Sequence, residues 1–335
     1  MTPISPAALV RHDWTLDEIA ELYHLPVLEL VYRAATVHRQ FHTPNEVQVC
    51  TLLSVKTGGC PEDCAYCPQA ARYHTDVETH KLMDVDTVVN AAAEAKANGS
   101  TRFCMGAAWR EVRDNRDFDK VLDMIRQVSE MGLEVCATLG MAQPHQLSQM
   151  KEAGLHAYNH NLDSDENFYS EIISTRTYED RLQTLRNVRQ AGLTVCCGGI
   201  IGMGEALEQR LGLLQTLATM APHPESVPIN ALVAVEGTPL AGQPKVPVWD
   251  MVRMIAVARI LMPTSHVRLS AGRIHYSTEE QALCFLAGAN SIFAGDKLLT
   301  TANNGTDADS VMFRTLGLIP RPSHKAEEAH VMLTQ

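Results

Sequence analysis

Five times along this chain the same joint recurs: a helix-like stretch, one glycine, then a short β-prone run. The five are "AKANGSTRFC", "VSEMGLEVC", "MKEAGLHAYN", "VRQAGLTVC" and "CFLAGANSIF", with their glycines at Gly99, Gly132, Gly154, Gly192 and Gly288. Glycine suits the left-handed residue that closes a helix. Helix-starting signals stand upstream, such as Ser277 with Glu280 and Thr177 with Asp180. Reading outward from the joints gives eight strand candidates, near Val47–Val55, Thr101–Met105, Glu134–Leu139, Ala157–Leu162, Thr194–Ile201, Val227–Val233, Val267–Ser270 and Ser291–Phe293. Helical segments of roughly 10–15 residues separate most of them. That alternation predicts an α/β chain closed as a (β/α)8 TIM-type barrel, with chemistry at the C-terminal ends of its strands. An open doubly wound sheet is the rival, but no glycine fingerprint follows the first strand, and a count of eight matches closure.

The barrel would occupy residues 46–318. Before it, "LDEIAELYHLPVLELVYRAATVHRQF" reads as one or two amphipathic helices, a short N-terminal helical extension over residues 1–45. After it, residues 319–335 are polar and read as a flexible tail. At 335 residues, a single barrel with such an extension is a reasonable size. Net charge is -11 with no basic tract, which argues against nucleic acid or an anionic membrane as the main partner. No apolar run reaches the length of a membrane span, and "MTPISPAALVRHDW" lacks the features of a signal peptide. The expected location is therefore the cytoplasm, where disulfides are rare, and nine cysteines point to metal or catalysis.

Three of those cysteines lie in "TGGCPEDCAYCPQA", where Cys60, Cys64 and Cys67 form a C-x3-C-x2-C run just after the first strand candidate. Glycines and prolines around it suit a loop that turns backbone amides toward sulfur. Three thiolates holding a cube of four irons leave one iron without a protein ligand, open to a small molecule. A structural zinc is the blander reading, with His74 or His80 as fourth ligand, but zinc spacings favour paired CxxC or CxxC/HxxxH motifs. A disulfide fits worse in a reducing compartment.

With Tyr66 just before its last cysteine, the run resembles the signature of the radical S-adenosylmethionine superfamily. The resemblance implies a [4Fe-4S] cluster on Cys60, Cys64 and Cys67, whose open iron binds S-adenosyl-L-methionine and whose electron releases a 5'-deoxyadenosyl radical. It assigns "GGIIGMGE", with Gly198, Ile200, Gly202 and Glu205, to the adenine side of the cofactor, and Asn161 and Asp163 in "YNHNLD" to its ribose. Unaided, an Asn-rich strand end is more often turn chemistry, and the glycine spacing fits neither GxGxxG nor a P-loop.

Cys104, Cys136 and Cys196 lie on the second, third and fifth strand candidates and Arg268 on the seventh. Residues at comparable depth on different strands can converge inside a barrel. A free cysteine alone is a common buried hydrophobe, whereas an inward arginine must find an anion or a metal cluster. "STRFCMGAAW", "YNHNLD", "ESVPIN", "MPTSHVRLSAGR" and "AGANSIF" with "KLLTT" resemble, from about Asn45 to Leu318, the family within this superfamily that inserts sulfur into dethiobiotin. That resemblance implies a [2Fe-2S] cluster on Cys104, Cys136, Cys196 and Arg268 that gives up the sulfur, and two S-adenosylmethionine molecules per product. Arginine is chemically an unusual ligand, because its proton is normally retained. The resemblance also implies contacts from Asn161 and Asn230 to the substrate's ureido ring and from Thr300 and Thr301 to its carboxylate, a flavodoxin or ferredoxin as electron donor, and a homodimer. Cys50 and Cys197 receive no role from it, and Cys284 reads as helix core. Alternatives are a radical enzyme of another substrate, for which the strand cysteines are dispensable, and an iron–sulfur electron carrier, which leaves "GGIIGMGE" unexplained.

Overall fold

A computed structural model describes residues 10–323 of the chain. Two helices come first, α1 (Leu16–His24) and α2 (Val27–Phe41), divided at Pro26. Thr15 and Glu18 cap α1 reciprocally. Ten strands follow: β1 (Glu46–Lys56), β2 (Arg102–Ala107), β3 (Glu134–Thr138), β4 (Leu155–Asn159), β5 (Thr194–Cys196), β6 (Gly199–Ile201), β7 (Ser226–Ala231), β8 (His266–Leu269), β9 (Ser291–Ala294) and β10 (Ile319–Pro320). Between them stand α3 (Val85–Ala97), α4 (Arg116–Glu130), α5 (Pro144–Glu152), α6 (Glu166–Ile172), α7 (Tyr178–Gln190), α8 (Leu207–Thr219), α9 (Val248–Leu261), α10 (Thr278–Leu286) and α11 (Thr306–Leu316). All five joint glycines take positive φ, from 69° to 104°. The capping boxes expected at Thr177 and Ser277 open α7 and α10.

Every strand pairing is parallel, in the order β1-β2-β3-β4-β5-β7-β8-β9, and β9 pairs back onto β1. The sheet is thus a closed barrel, with β6 prolonging the line of β5 and pairing with β7. The expected fifth strand, Thr194–Ile201, is interrupted at Cys197 and Gly198. There the Gly198 N–H donates to the Asn161 side chain (3.1 Å) and its carbonyl accepts from Leu162 and Asp163, so it leaves the regular ladder. The fourth strand ends at Asn159 rather than Leu162, because the chain then turns through Asp163 at φ 68°. Ile319 and Pro320, expected in the tail, pair with Glu46 and Val47 as β10. The remainder of that tail, from 324 onward, lies outside the described residues.

Successive strand residues alternate between two environments. Phe103, Met105, Val135, Ala137, Val227, Ile229, Val267 and Leu269 face the helical layer and join one large apolar core. Their neighbours face inward, where branched aliphatics are the usual filling. Here the filling is polar and sulfur-rich. Gln48, Arg102, Glu134 and Ser291 form the lowest layer, with Arg102 paired to Glu134 at 2.9 Å and Gln48 bonded to the same carboxylate at 3.2 Å. Arg268 is also buried there (1 % exposed). Two guanidinium groups and one carboxylate leave this interior short of negative charge, an expensive state unless an anion or metal-bound thiolates complete it.

Candidate active site

Cys50, Cys104, Cys136 and Cys196 form, with Ala157, a separate buried cluster inside the barrel, flanked by Leu52 and Phe293. The parallel register sets this up: Cys104 lies opposite Cys136, Cys136 opposite Ala157, and Asn159 opposite Cys196. Arg268 points inward. Its Nε donates to Ser291 Oγ (2.9 Å), its Nη1 faces Cys196 Sγ (3.6 Å), and its Nη2 faces Cys50 Sγ (3.4 Å) and Gln48 Oε1 (3.3 Å). Phe293 stacks against the guanidinium, 4.6 Å from its ring centre. None of these contacts is a carboxylate.

The four thiols lie together in this one buried cluster and influence one another's protonation. Cys136 is held well below the ordinary thiol value, because hydrogen bonds from Cys104 and Cys196 and the charges of Arg102 and Arg268 outweigh burial. Burial pushes the Cys50 thiol up, yet the bond with Cys104 and the charges of Arg268 and Arg102 bring it down to about 6. Arg268 is in turn held protonated despite burial by Cys50, Cys196 and Cys104. Cys104 and Cys196 are pushed well above the ordinary thiol value, by Cys136 first and by burial, so protons are shared unequally among the four until a metal displaces them. Buried thiols beside cations are the donors an iron–sulfur cluster takes. The residues present fit such a group.

The second set of thiols stands in the loop after β1. Gly58 and Gly59 both take positive φ (70° and 62°), and a Cβ on Gly58 would come within 2.7 Å of the Thr79 hydroxyl. Cys60 and Gln69 are joined through the backbone, as are Cys64 and Cys67, each at 2.9 Å. Asp63 pins the loop to the chain before α7, accepting from the Ser174 N–H (2.9 Å), the Thr175 N–H (3.2 Å) and the Ser174 hydroxyl. Burial pushes Cys60 and Cys64 up and Cys67 to about 12, so these thiols keep their protons until a metal displaces them. All nine cysteines are free. Among the described residues no three His, Cys, Asp or Glu side chains converge closely enough for a single metal ion, and neither His74 nor His80 joins the loop's cysteines on the cavity wall. Three thiols with no fourth protein ligand beside them suit a polynuclear cluster with one open iron better than a closed structural zinc.

Both sets line one cavity of about 330 Å³ inside the barrel mouth, within the usual range for small-molecule sites. Asn159, Asn161, Asp163, Arg176, Arg181 and Asn230 stand on its wall. Asp163 receives the Tyr66 hydroxyl (2.8 Å) and is ion-paired with buried Arg181. Arg176, 8 % exposed, lies 3.9 Å from Glu62 and 4.0 Å from Cys64 Sγ, and its Nε has no partner. A buried, incompletely paired guanidinium fits an anionic ligand such as a carboxylate. Thr300 and Thr301 also reach the wall, carried by the loop that leans Leu299 over Gly106, where any Cβ would come within 2.5 Å of the leucine.

The glycine-rich stretch is divided in its role. Ile200 faces the cavity, whereas Gly198, Gly202 and Glu205 shape the backbone behind it. Glu205 accepts from the Gly202 and Met203 N–H groups (2.8 and 2.7 Å) and from Arg210 (2.6 Å). Asn230 gives its amide to the Gly199 carbonyl (2.9 Å) and accepts from the Ala271 N–H (3.2 Å), so it braces two strands from the cavity wall. The sequence reading passed over Arg176, Arg181, Glu62 and Asp63. The acidic pair inside "CPEDC" was the available sign that the loop needs basic or hydroxyl partners elsewhere.

Comparison with known proteins agrees with this geometry. Residues 54–217 match the radical SAM superfamily, and residues 228–319 match the biotin and thiamin synthesis associated domain. A biotin synthase of Cytophaga hutchinsonii is 67% identical over 320 residues, covering 96% of this chain and 95% of that protein. The mitochondrial biotin synthase of Arabidopsis thaliana is 59% identical over 319 residues, covering 95% and 84%. Among solved structures, methylornithine synthase superposes with a TM-score of 0.80 over 97% of this chain and 99% of its own, at 18% identity. A maturase of the [FeFe]-hydrogenase reaches 0.77 over 91% and 72%, at 16% identity. At such identities the two structures speak to the fold alone.

Proposed function

The chain belongs to the biotin synthase family of radical S-adenosylmethionine sulfurtransferases, and from that premise we propose how its residues divide the work of inserting sulfur into dethiobiotin. One observation carries the reading: two separate sets of thiols, one at the barrel mouth and one at its floor, line the same cavity. Cys60, Cys64 and Cys67 would hold a [4Fe-4S] cluster, and Cys104, Cys136 and Cys196 with Arg268 a [2Fe-2S] cluster. When bound, the first cluster with S-adenosylmethionine supplies the radical that removes hydrogen, and the second supplies sulfur.

The chain's own residues bind, orient and keep the site dry. Arg176, with an unpartnered Nε beside the mouth cysteines, is placed to receive the carboxylate of S-adenosylmethionine. Asn161 and Asp163 face its ribose and Ile200 its adenine, with Gly198, Gly202 and Glu205 fixing the ridge from behind. Asp163 is held for that task by Tyr66 and Arg181. Dethiobiotin would lie between the two sets of thiols, its ureido ring toward Asn161 and Asn230 and its carboxylate toward Thr300 and Thr301. Leu298 and Leu299 on the same loop line the cavity and would shield bound substrate from water. A small flavodoxin or ferredoxin as electron donor and a second copy of the chain complete the proposal. No helix of the described residues is long and apolar enough to cross a membrane.

Two variants separate the roles. Cys64→Ala should lose 5'-deoxyadenosine formation. Cys136→Ala should keep it while losing biotin. A Cys136→Ala enzyme that makes biotin at the wild-type rate overturns the assignment of the floor cysteines.

A further inference from the structure

The floor site holds four thiols, not three. Around the barrel wall the order is Arg268 on β8, Ser291 and Phe293 on β9, Cys50 on β1, Cys104 on β2, Cys136 on β3 and Cys196 on β5. Cys50 therefore occupies the gap between Arg268 and Cys104. It is fully buried, and Gln48, Cys50 and Leu52 share the inward face of β1, since Gln48 meets Arg268 below and Leu52 lines the cavity above. Its sulfur lies 3.4 Å from Arg268 Nη2, in one buried cluster with Cys104. Ser291 Oγ, 3.9 Å away, and Gln48 Oε1, 3.6 Å away, complete its surroundings. The thiol and the guanidinium are in direct contact, with Phe293 packed beside both.

A [2Fe-2S] cluster ordinarily takes four thiolates. A guanidinium holds its proton tightly and presents five N–H donors, so it suits the hydrogen-bonding of sulfide and thiolate better than ligation of iron. A cysteine and an arginine are thus within reach of the same corner, and the cysteine is the better ligand by type. We propose that Cys50 is an alternative fourth ligand of the floor cluster, taking the iron corner of Arg268 whenever the guanidinium is withdrawn. This rests on the reading of the floor cysteines as a cluster site. The withdrawn guanidinium stays nearby as a cation that balances the four thiolates. An exchangeable corner of this kind would let the cluster stay anchored by the chain while iron or sulfide is lost and replaced.

The test is anoxic loading with iron and sulfide of the full chain and of the Cys50→Ser, Arg268→Ala and Cys50→Ser/Arg268→Ala variants. Mössbauer spectra of iron-57 count each cluster type, and mass spectrometry after thiol alkylation reports which cysteines are protected. Arg268→Ala should keep the floor cluster within about twofold of wild type, with Cys50 protected. The double variant should lose floor-cluster occupancy tenfold or more while the mouth cluster stays full, which serves as the folding control. Equal occupancy in the single and double variants overturns the proposal, as does loss of the floor cluster from Arg268→Ala alone. Arg268→Gln, which keeps a polar side chain of similar reach, repeats the comparison should the alanine variant fail to fold. A wild-type chain that loads only the mouth cluster refutes instead the reading on which the proposal rests.

Discussion

Gly198 stands in the motif assigned by resemblance to the adenine, yet its position explains it without any ligand. A Cβ built there would lie 2.0 Å from the Pro228 carbonyl oxygen. Ordinary contact begins near 3.4 Å, so 3.4 − 2.0 = 1.4 Å must be found between the broken fifth strand and β7. The obstructing atom is backbone in a closed barrel, so it cannot swing aside as a side chain would. Overpacking of this kind costs about 3 kcal/mol at the upper end of its usual range. The shift also strains two hydrogen bonds, Cys197 N–H to the Ser226 carbonyl (2.9 Å) and Gly198 N–H to Asn161 (3.1 Å), each worth about 1 kcal/mol. Unfolding entropy of about 2.1 cal/mol/K per residue over 335 residues gives roughly 0.7 kcal/mol/K. Gly198→Ala should therefore lower the Tm of the metal-free protein by about 4–7 °C in calorimetry. Gly242→Ala, whose Cβ meets nothing within 4 Å, should stay within about 1 °C of wild type. Because Cys196 and Asn161 flank the displaced segment, Gly198→Ala should also load less floor cluster. Equal melting of the two alanine variants would refute the steric account and leave ligand contact as the reason for the glycine.

Two further outcomes follow from buried charge. Arg273 and Asp309 are a buried pair that ties α11 beneath β9, where Arg273 also donates to the Phe293 carbonyl (2.7 Å); Arg273→Ala should cost about 3–5 kcal/mol and speed proteolysis of the loop carrying Thr300 and Thr301, and unchanged cleavage there would contradict the link. Cys67, raised by burial from 9.0 to about 12, binds a proton more tightly when folded than unfolded, so its contribution to stability is present below pH 9 and lost as pH rises toward 12. Metal-free wild type should accordingly lose more stability than metal-free Cys67→Ser between pH 9 and 11 by chemical denaturation; parallel slopes would show that the thiol is not buried in that form.

The barrel was legible because its joints are local. A glycine after a helix and before a strand marks a boundary wherever it stands, and five repeats of it fixed most of the alternation. What sequence reading blurred was set by neighbours across the sheet. The break at Gly198 depends on Asn161 and Pro228, thirty or more residues away, and no local pattern announces it. Cys104, Cys136, Cys196 and Arg268 stood out by strand position and by resemblance, but the inward direction of Arg268 came only from the register that sets it beside Ser291 and Cys196. Cys50 was visible as an unassigned cysteine on the first strand, while its place between Arg268 and Cys104 required closure of β9 onto β1. Glu205 and Asn230 look like ligand contacts by type, and in the structure both also brace backbone, which side-chain chemistry alone does not announce.

The most direct measurement is an anoxic assay of the reconstituted protein with reductant, S-adenosylmethionine and dethiobiotin. The floor cluster is first rebuilt with isotopically labelled sulfide, and biotin and 5'-deoxyadenosine are then quantified together by mass spectrometry. The account predicts labelled biotin accompanied by 5'-deoxyadenosine. Formation of 5'-deoxyadenosine without biotin, or of biotin without the label, would contradict the claim that this cavity joins a radical to a sulfur held on its floor.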